Sequence, residues 1–282
     1  MPADSPVSRS ATGPVTVDRG SGPTVLLLHG QPGTGASWDP LTALLVDRFR
    51  VLAPDRPGHG RTTGEARGFA GNADYAADLL TAHGGGPATV VAHSWAGGVA
   101  VLLADRRPDL VSGLVLVAAA CTPDSLDAVD RLLGVPALGD ALTVAGLLAL
   151  GEVLPRARRL TPWLPERVRG PVRATLPDQG VLGGERGALG RHRRTFTAEQ
   201  RALLHELPEV QAVLGGIVVP TVVVVGSWDV VVRPSAGRTL ADAVPGAELI
   251  ELPRAGHFVA RDAPEALAGI VAAVAGEPAV SH

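Results

Sequence analysis

Four short stretches hold residue types that could act together on a carbonyl group. In "VVAHSWAGGVA", residues 90–100, an apolar run ends at His93-Ser94-Trp95, and the small residues Ala96, Gly97 and Gly98 follow at once. A serine at such a strand-to-helix corner projects its hydroxyl above the sheet edge, with the next backbone N–H beside it at a helix N-terminus. The turn tolerates only small residues two before and two after the serine. These are Ala92 and Ala96, where the common G-x-S-x-G form has glycines. The competing reading is that Ser94 only caps a helix, a position serine favours. In "LLLHGQPGTG", His29-Gly30 stands at a strand end, and a tight turn there can aim the Gln31 amide at the point the Trp95 amide reaches, giving a two-donor oxyanion site. "VVVVGSWD" leaves Asp229 just past a buried strand, and "LPRAGHF" leaves His257 after the last one. Ser94, Asp229 and His257 therefore follow in the order nucleophile, acid, base, each at the end of an expected parallel strand, where open α/β sheets build their sites.

The elements that must position these residues are legible as apolar runs. Thr24–Leu28, Phe49–Ala53, Ala88–Ala92, Gly113–Ala118, Thr221–Val225 and Ala247–Leu252 are short, continuously apolar and bounded by Gly, Pro or polar residues, the pattern of strands buried on both faces of a parallel sheet. Helix-like segments such as "WDPLTALLVDRF" and "GGVAVLLADRRPDL" lie between them, so an α/β class with helices on both sheet faces is expected. From about Thr122 to Gly216 the strand rhythm stops, and helical, Arg- and Pro-rich sequence takes over. An interruption that long exceeds any ordinary connection and reads as an inserted helical subdomain, residues 122–216, between core segments 14–121 and 217–282. Residues 1–13 read as a disordered leader without the apolar region of a secretory signal.

Composition narrows the function classes. The net charge of −3 gives no support for nucleic-acid binding. The distribution is uneven: residues 131–201 carry twelve Arg against six acidic residues, a local charge of +6 on a body of −9. One cysteine, Cys121, excludes an internal disulfide framework and cannot alone supply a zinc site, and a cytoplasmic location is expected. The most apolar window, residues 137–154, is interrupted by Asp140 and Glu152 and is too short uncharged to span a bilayer.

The stretches "HGQPGTG", "PDRPGHGRT", "AHSWAGG", "GSWD" and "AGHF" together resemble the α/β-hydrolase fold over about residues 15–275. The resemblance implies that the 122–216 insertion is a helical cap over the active site, that His257 takes the proton of Ser94 as it attacks an acyl carbonyl, and that Asp229 orients the imidazole. It implies no metal and no organic cofactor. Asp124, beyond the Gly113–Ala118 strand, is a second candidate acid, since some relatives place the acid there. Asp55 and His59 are expected to shape their own loop, and His29 and His93 to support the loops around the site. "HGQP" and "HSWAGG" are similar to the epoxide hydrolase and haloalkane dehalogenase branch, whose nucleophile is an aspartate. Ser94 in that place, and a single tyrosine, Tyr75, ahead of the cap, argue against that chemistry. The expected reaction is hydrolysis of an ester, lactone or thioester of an apolar small molecule, with carbon-carbon hydrolysis, a non-hydrolytic cyclase or lyase, or a ligand-binding role as alternatives. A pocket is expected around His29, Gly30, Trp38, Trp95, Leu147, Trp228 and Phe258. An acyl carrier protein is an alternative partner, steered by the cap arginines, and the chain is expected to be a monomer or homodimer.

Overall fold

The apolar runs fold into strands because both of their faces find helices to pack on. The computed structural model describes residues 16–84, 86–176 and 188–276, so the expected leader at 1–13 lies outside the described residues. Seven strands, β1 (Thr16–Arg19), β2 (Thr24–Leu28), β3 (Arg50–Pro54), β4 (Ala88–His93), β5 (Val111–Val117), β6 (Thr221–Gly226) and β7 (Glu248–Leu252), form one sheet in the order β1-β3-β2-β4-β5-β6-β7. All neighbours are parallel except β1, which runs antiparallel to β3 at the edge. That strand goes unrecognised in the sequence: "TVDR" is four residues long with a single apolar residue, because an edge strand buries little of itself.

The helices are α1 (Asp39–Leu45), α2 (Phe69–Ala82), α3 (Ala96–Arg106), α4 (Ala128–Leu133), α5 (Leu138–Leu148), α6 (Leu154–Arg158), α7 (Glu166–Thr175), α8 (Ala188–Leu214), α9 (Pro234–Ala243), α10 (Val259–Asp262) and α11 (Pro264–Val274). Alternate strand residues sort into two cores. Leu26, Leu28, Leu52, Val90, Leu114, Leu116, Val223 and Val225 pack with α2, α3, α9 and the C-terminal half of α8. Val25, Leu27, Val51, Val91, Val115, Val117 and Val224 pack with α1 and α11. Each such side chain contributes about 1.5–3 kcal/mol by leaving water, so a polar residue on either face would be costly and the runs are apolar throughout.

Between β5 and β6, residues 118–220 contribute helices α4–α8 and no strand among the described residues. Several contacts bind this insertion to the sheet domain, among them two that involve buried or clamped arginines. Arg261 of α10 donates Nη1 to Leu176 O and Nη2 to Ala174 O, each at 2.9 Å, satisfying carbonyls at the C-terminus of α7. Glu199 of α8 reaches into the loop after β3, as described below. Among the described residues no helix is long and apolar enough to cross a membrane.

Candidate active site

The loops that follow β2, β4, β6 and β7 meet at the carboxyl edge of the sheet, and strand register brings their first residues together. β4 pairs β5 through His93↔Val117, and the Ser94 N–H prolongs that ladder by donating to Val117 O at 2.9 Å. The chain then turns sharply: Ser94 has φ 54°, a left-handed conformation that costs a non-glycine residue about 1–2 kcal/mol. The strain persists because Ser94 O accepts from both Gly97 N–H (2.9 Å) and Ala120 N–H (3.0 Å). Ala92 and Ala96 are both fully buried at the flanks of this turn. The loop after β2 approaches equally closely, since a side chain on Gly30 would meet His93 Nδ1 at 2.8 Å and Ser94 Cβ at 3.0 Å. Only glycine permits that approach.

His257 stands between the other two members of the expected set. Its Nδ1–H donates to Asp229 Oδ2 at 2.8 Å, which leaves Nε2 to accept from the Ser94 hydroxyl at 3.1 Å. The second Asp229 oxygen accepts from Val231 N–H (2.8 Å) and Val232 N–H (3.0 Å), so its carboxylate cannot swing away. All three residues are buried, with 8 % of Ser94, 4 % of Asp229 and 7 % of His257 exposed, which strengthens their mutual electrostatics. Asp124 is placed elsewhere. Its Oδ2 accepts from Thr239 Oγ1 at 2.8 Å on α9, an exposed contact that makes it a surface tie.

Neither the Gln31 nor the Trp95 backbone N–H meets a protein acceptor among the described residues. Trp95 directly follows Ser94 in the chain, and Gln31 follows Gly30, whose backbone runs close against Ser94 Cβ. The expected pocket residues divide. Phe258 is partly exposed and packs its ring 5.6 Å from that of His257. Trp228 is partly exposed and lies against Gly170 of α7, where an added Cβ would meet its Cη2 at 2.5 Å. His29, expected both near the pocket and as a loop support, is fully buried and ties its loop, with Nδ1–H donating to Gly30 O (2.9 Å) and Nε2 accepting from Arg56 N–H (3.0 Å). Burial first, then the charge of Arg56, pushes this imidazole well below the usual histidine range. The Trp95 ring is likewise interior, packed on Phe69 at 4.5 Å and under the Arg56 guanidinium at 4.6 Å. Trp38 and Leu147 are also buried, Leu147 on α5 within the insertion. Asp55 fixes its loop by accepting from Gly35 N–H and Arg61 N–H. Among the described residues no cluster of His, Cys, Asp or Glu is arranged to hold a metal ion.

Comparison with known proteins identifies the family. A model described as "Alpha/beta hydrolase family" matches residues 25–270. The chain belongs to the alpha/beta hydrolase family. It is 34% identical to a pimeloyl-[acyl-carrier protein] methyl ester esterase of Chromobacterium violaceum over 84% of this chain and 88% of that one. It is 29% identical to haloalkane dehalogenase 2 of Mycobacterium tuberculosis over 90% and 88% of the two chains. A solved thermophilic esterase from Thermogutta terrifontis shares the fold with a TM-score of 0.68, at 22% identity over 92% and 91%. This alpha/beta hydrolase is therefore an enzyme of the hydrolase class.

Sequence reasoning missed two residues that touch the site's loops. Arg56 and Glu199 form a fully buried ion pair, and His59 Nε2–H donates to the same Glu199 carboxylate at 3.0 Å. Burial alone would raise that carboxyl, but Arg56 and His59 outweigh it and hold Glu199 below the usual range. The available signal was compositional, since Glu199 is the only acid in "RGALGRHRRTFTAEQR", residues 186–201.

Proposed function

We propose that the protein is a serine esterase that cleaves a carboxylic ester through an acyl-enzyme, with lactones and thioesters open to the same attack. The observation that carries this reading is the chain of contacts Ser94 Oγ, His257 Nε2, His257 Nδ1, Asp229 Oδ2, with Ser94 on a strained corner. His257 takes the serine proton as Oγ attacks the acyl carbon, and later returns it to the leaving alcohol. Asp229 holds the tautomer that leaves Nε2 free to accept and stabilises the imidazolium that forms. The Gln31 and Trp95 amides receive the developing oxyanion, each worth on the order of 3 kcal/mol in the transition state. Water, activated by His257 in turn, releases the acid.

The 34% identity to a pimeloyl-[acyl-carrier protein] methyl ester esterase supports a carboxylic ester as substrate. Dehalogenase chemistry needs a carboxylate nucleophile, and Ser94 has none. Treatment with a fluorophosphonate followed by intact-mass measurement and peptide mapping tests the assignment. One adduct on Ser94 is expected, together with its absence in Ser94→Ala and loss of p-nitrophenyl ester hydrolysis in that variant. A folded wild-type protein that takes no label would sink the reading.

A further inference from the structure

The planar peptide that joins Gly30 to Gln31 carries the Gly30 carbonyl on one side and the Gln31 N–H on the other. Two donors hold that carbonyl: Arg56 Nη2 at 3.1 Å and His29 Nδ1–H at 2.9 Å. Arg56 also donates Nε to His29 O at 2.9 Å, so two successive carbonyls are clamped by one guanidinium. A donor fixed on the oxygen sets the direction of the N–H opposite and polarises it. Arg56 is itself held by Glu199 of α8, with both members fully buried. The same turn of α8 grips the side chains of both expected oxyanion residues: Gln31 Nε2 donates to Phe196 O at 2.7 Å and Trp95 Nε1 to Glu199 O at 3.0 Å.

A buried ion pair is a poor way to gain stability, because an apolar pair of similar volume often serves as well or better. Its forked geometry, by contrast, is suited to orienting two carbonyls at once. On the reading that Ser94 is the nucleophile and Gln31 N–H an oxyanion donor, we propose that Arg56 is a positioning residue that aims this N–H, and that Glu199 of the insertion holds Arg56 in place. The insertion is then part of the catalytic apparatus and not only a cover over the substrate.

Three variants test this: Glu199→Gln, Arg56→Lys and the apolar double variant Arg56→Met/Glu199→Met. Thermal midpoint, the rate of fluorophosphonate labelling at Ser94, and kcat and KM for p-nitrophenyl acetate and octanoate are measured on each. The double variant is expected to fold with a midpoint near that of the wild type. Its kcat should fall about 10- to 100-fold on both esters, as for a misdirected oxyanion donor, with KM changed less than about threefold. Arg56→Lys, which can reach one carbonyl but not clamp two, should lie between. A folded double variant with wild-type kcat overturns the proposal. So does a loss confined to the longer acyl chain, which would mark a pocket role, or failure of all three variants to fold, which would assign the network to folding alone. If wild-type protein takes no label at Ser94, the underlying reading falls and the positioning role with it, an outcome distinct from labelled but unaffected variants.

Discussion

His93 precedes the serine by one residue and holds His257 from behind. Its Nε2–H donates to the His257 carbonyl at 2.8 Å, and the two rings lie 4.7 Å apart. Burial, and then the neighbouring His257, push the His93 imidazole down to about 3, so it stays neutral at any pH where the enzyme would work. This has a consequence for acid stability. An unfolded chain takes up a proton at His93 as the pH falls below its ordinary value of 6.5, while the folded chain resists until about 3. Stability attached to this group is therefore complete above about pH 6.5 and is lost progressively below it, because the unfolded state binds more protons in that window. His29, lowered for the same reason, acts in the same direction. The urea midpoint should drop between pH 7.5 and 4.5, and His93→Gln, which can still donate to the His257 carbonyl, should reduce that drop. An equal drop in the variant would show that His93 does not titrate on unfolding.

Helix α3 follows the strained serine and runs against β5, and its first turn is where side-chain volume is most tightly limited. A methyl group on Gly97 would meet Ala119 Cβ at 2.6 Å and the buried Cys121 Sγ at 2.8 Å. Replacing glycine by alanine inside a helix ordinarily gains about 0.5–1 kcal/mol, whereas overpacking costs about 1–3 kcal/mol. Neither neighbour has a flexible end to move, so Gly97→Ala should destabilise. Gly146 of α5 is exposed with nothing within 4 Å of an added Cβ, so Gly146→Ala should stabilise by the full helix gain. Thermal midpoints that shift the same way for both would refute the steric account. The small residues after Ser94 are legible in the sequence because they are neighbours in the chain, and the buried strands are legible because both their faces are apolar. The sequence places Asp229 and His257 at strand ends, and the structure brings His257 within hydrogen-bond reach of Ser94 on one side and of Asp229 on the other. The pairing of Arg56 with Glu199 has no local signature: the two are 143 residues apart and meet only through tertiary packing. Edge strand β1 escapes for a different reason, since a polar four-residue strand held by one neighbour resembles a loop.

Across the whole molecule, charge is divided between an acidic sheet domain and an insertion whose residues 131–201 carry twelve arginines against six acids. Part of this charge lines a cleft of about 260 Å³ on α5 and α8, where Arg193, Arg194 and Arg201 surround Asp140. Asp140 accepts from Arg193 Nη1 at 3.1 Å and from Thr197 Oγ1 at 3.2 Å, with Arg201 Nη2 at 3.8 Å, so one carboxylate pairs with two guanidinium groups and, with Arg194 also in the lining, the cleft is left cationic. Exposed surface pairs of this kind contribute little stability, about 0–1 kcal/mol each. Their field reaches further, with a screening length of about 10 Å at 0.1 M salt and about 30 Å at 0.01 M. A positive insertion beside the site should raise the encounter rate of esters whose acyl chain ends in a carboxylate and leave neutral esters of equal length unaffected. The expected result is a kcat/KM that falls with added salt for the anionic ester alone, with unchanged kcat, and a smaller fall in Arg193→Gln/Arg194→Gln. Equal salt dependence for the two esters would mean that the insertion's charge is solvated surface and does not steer substrate.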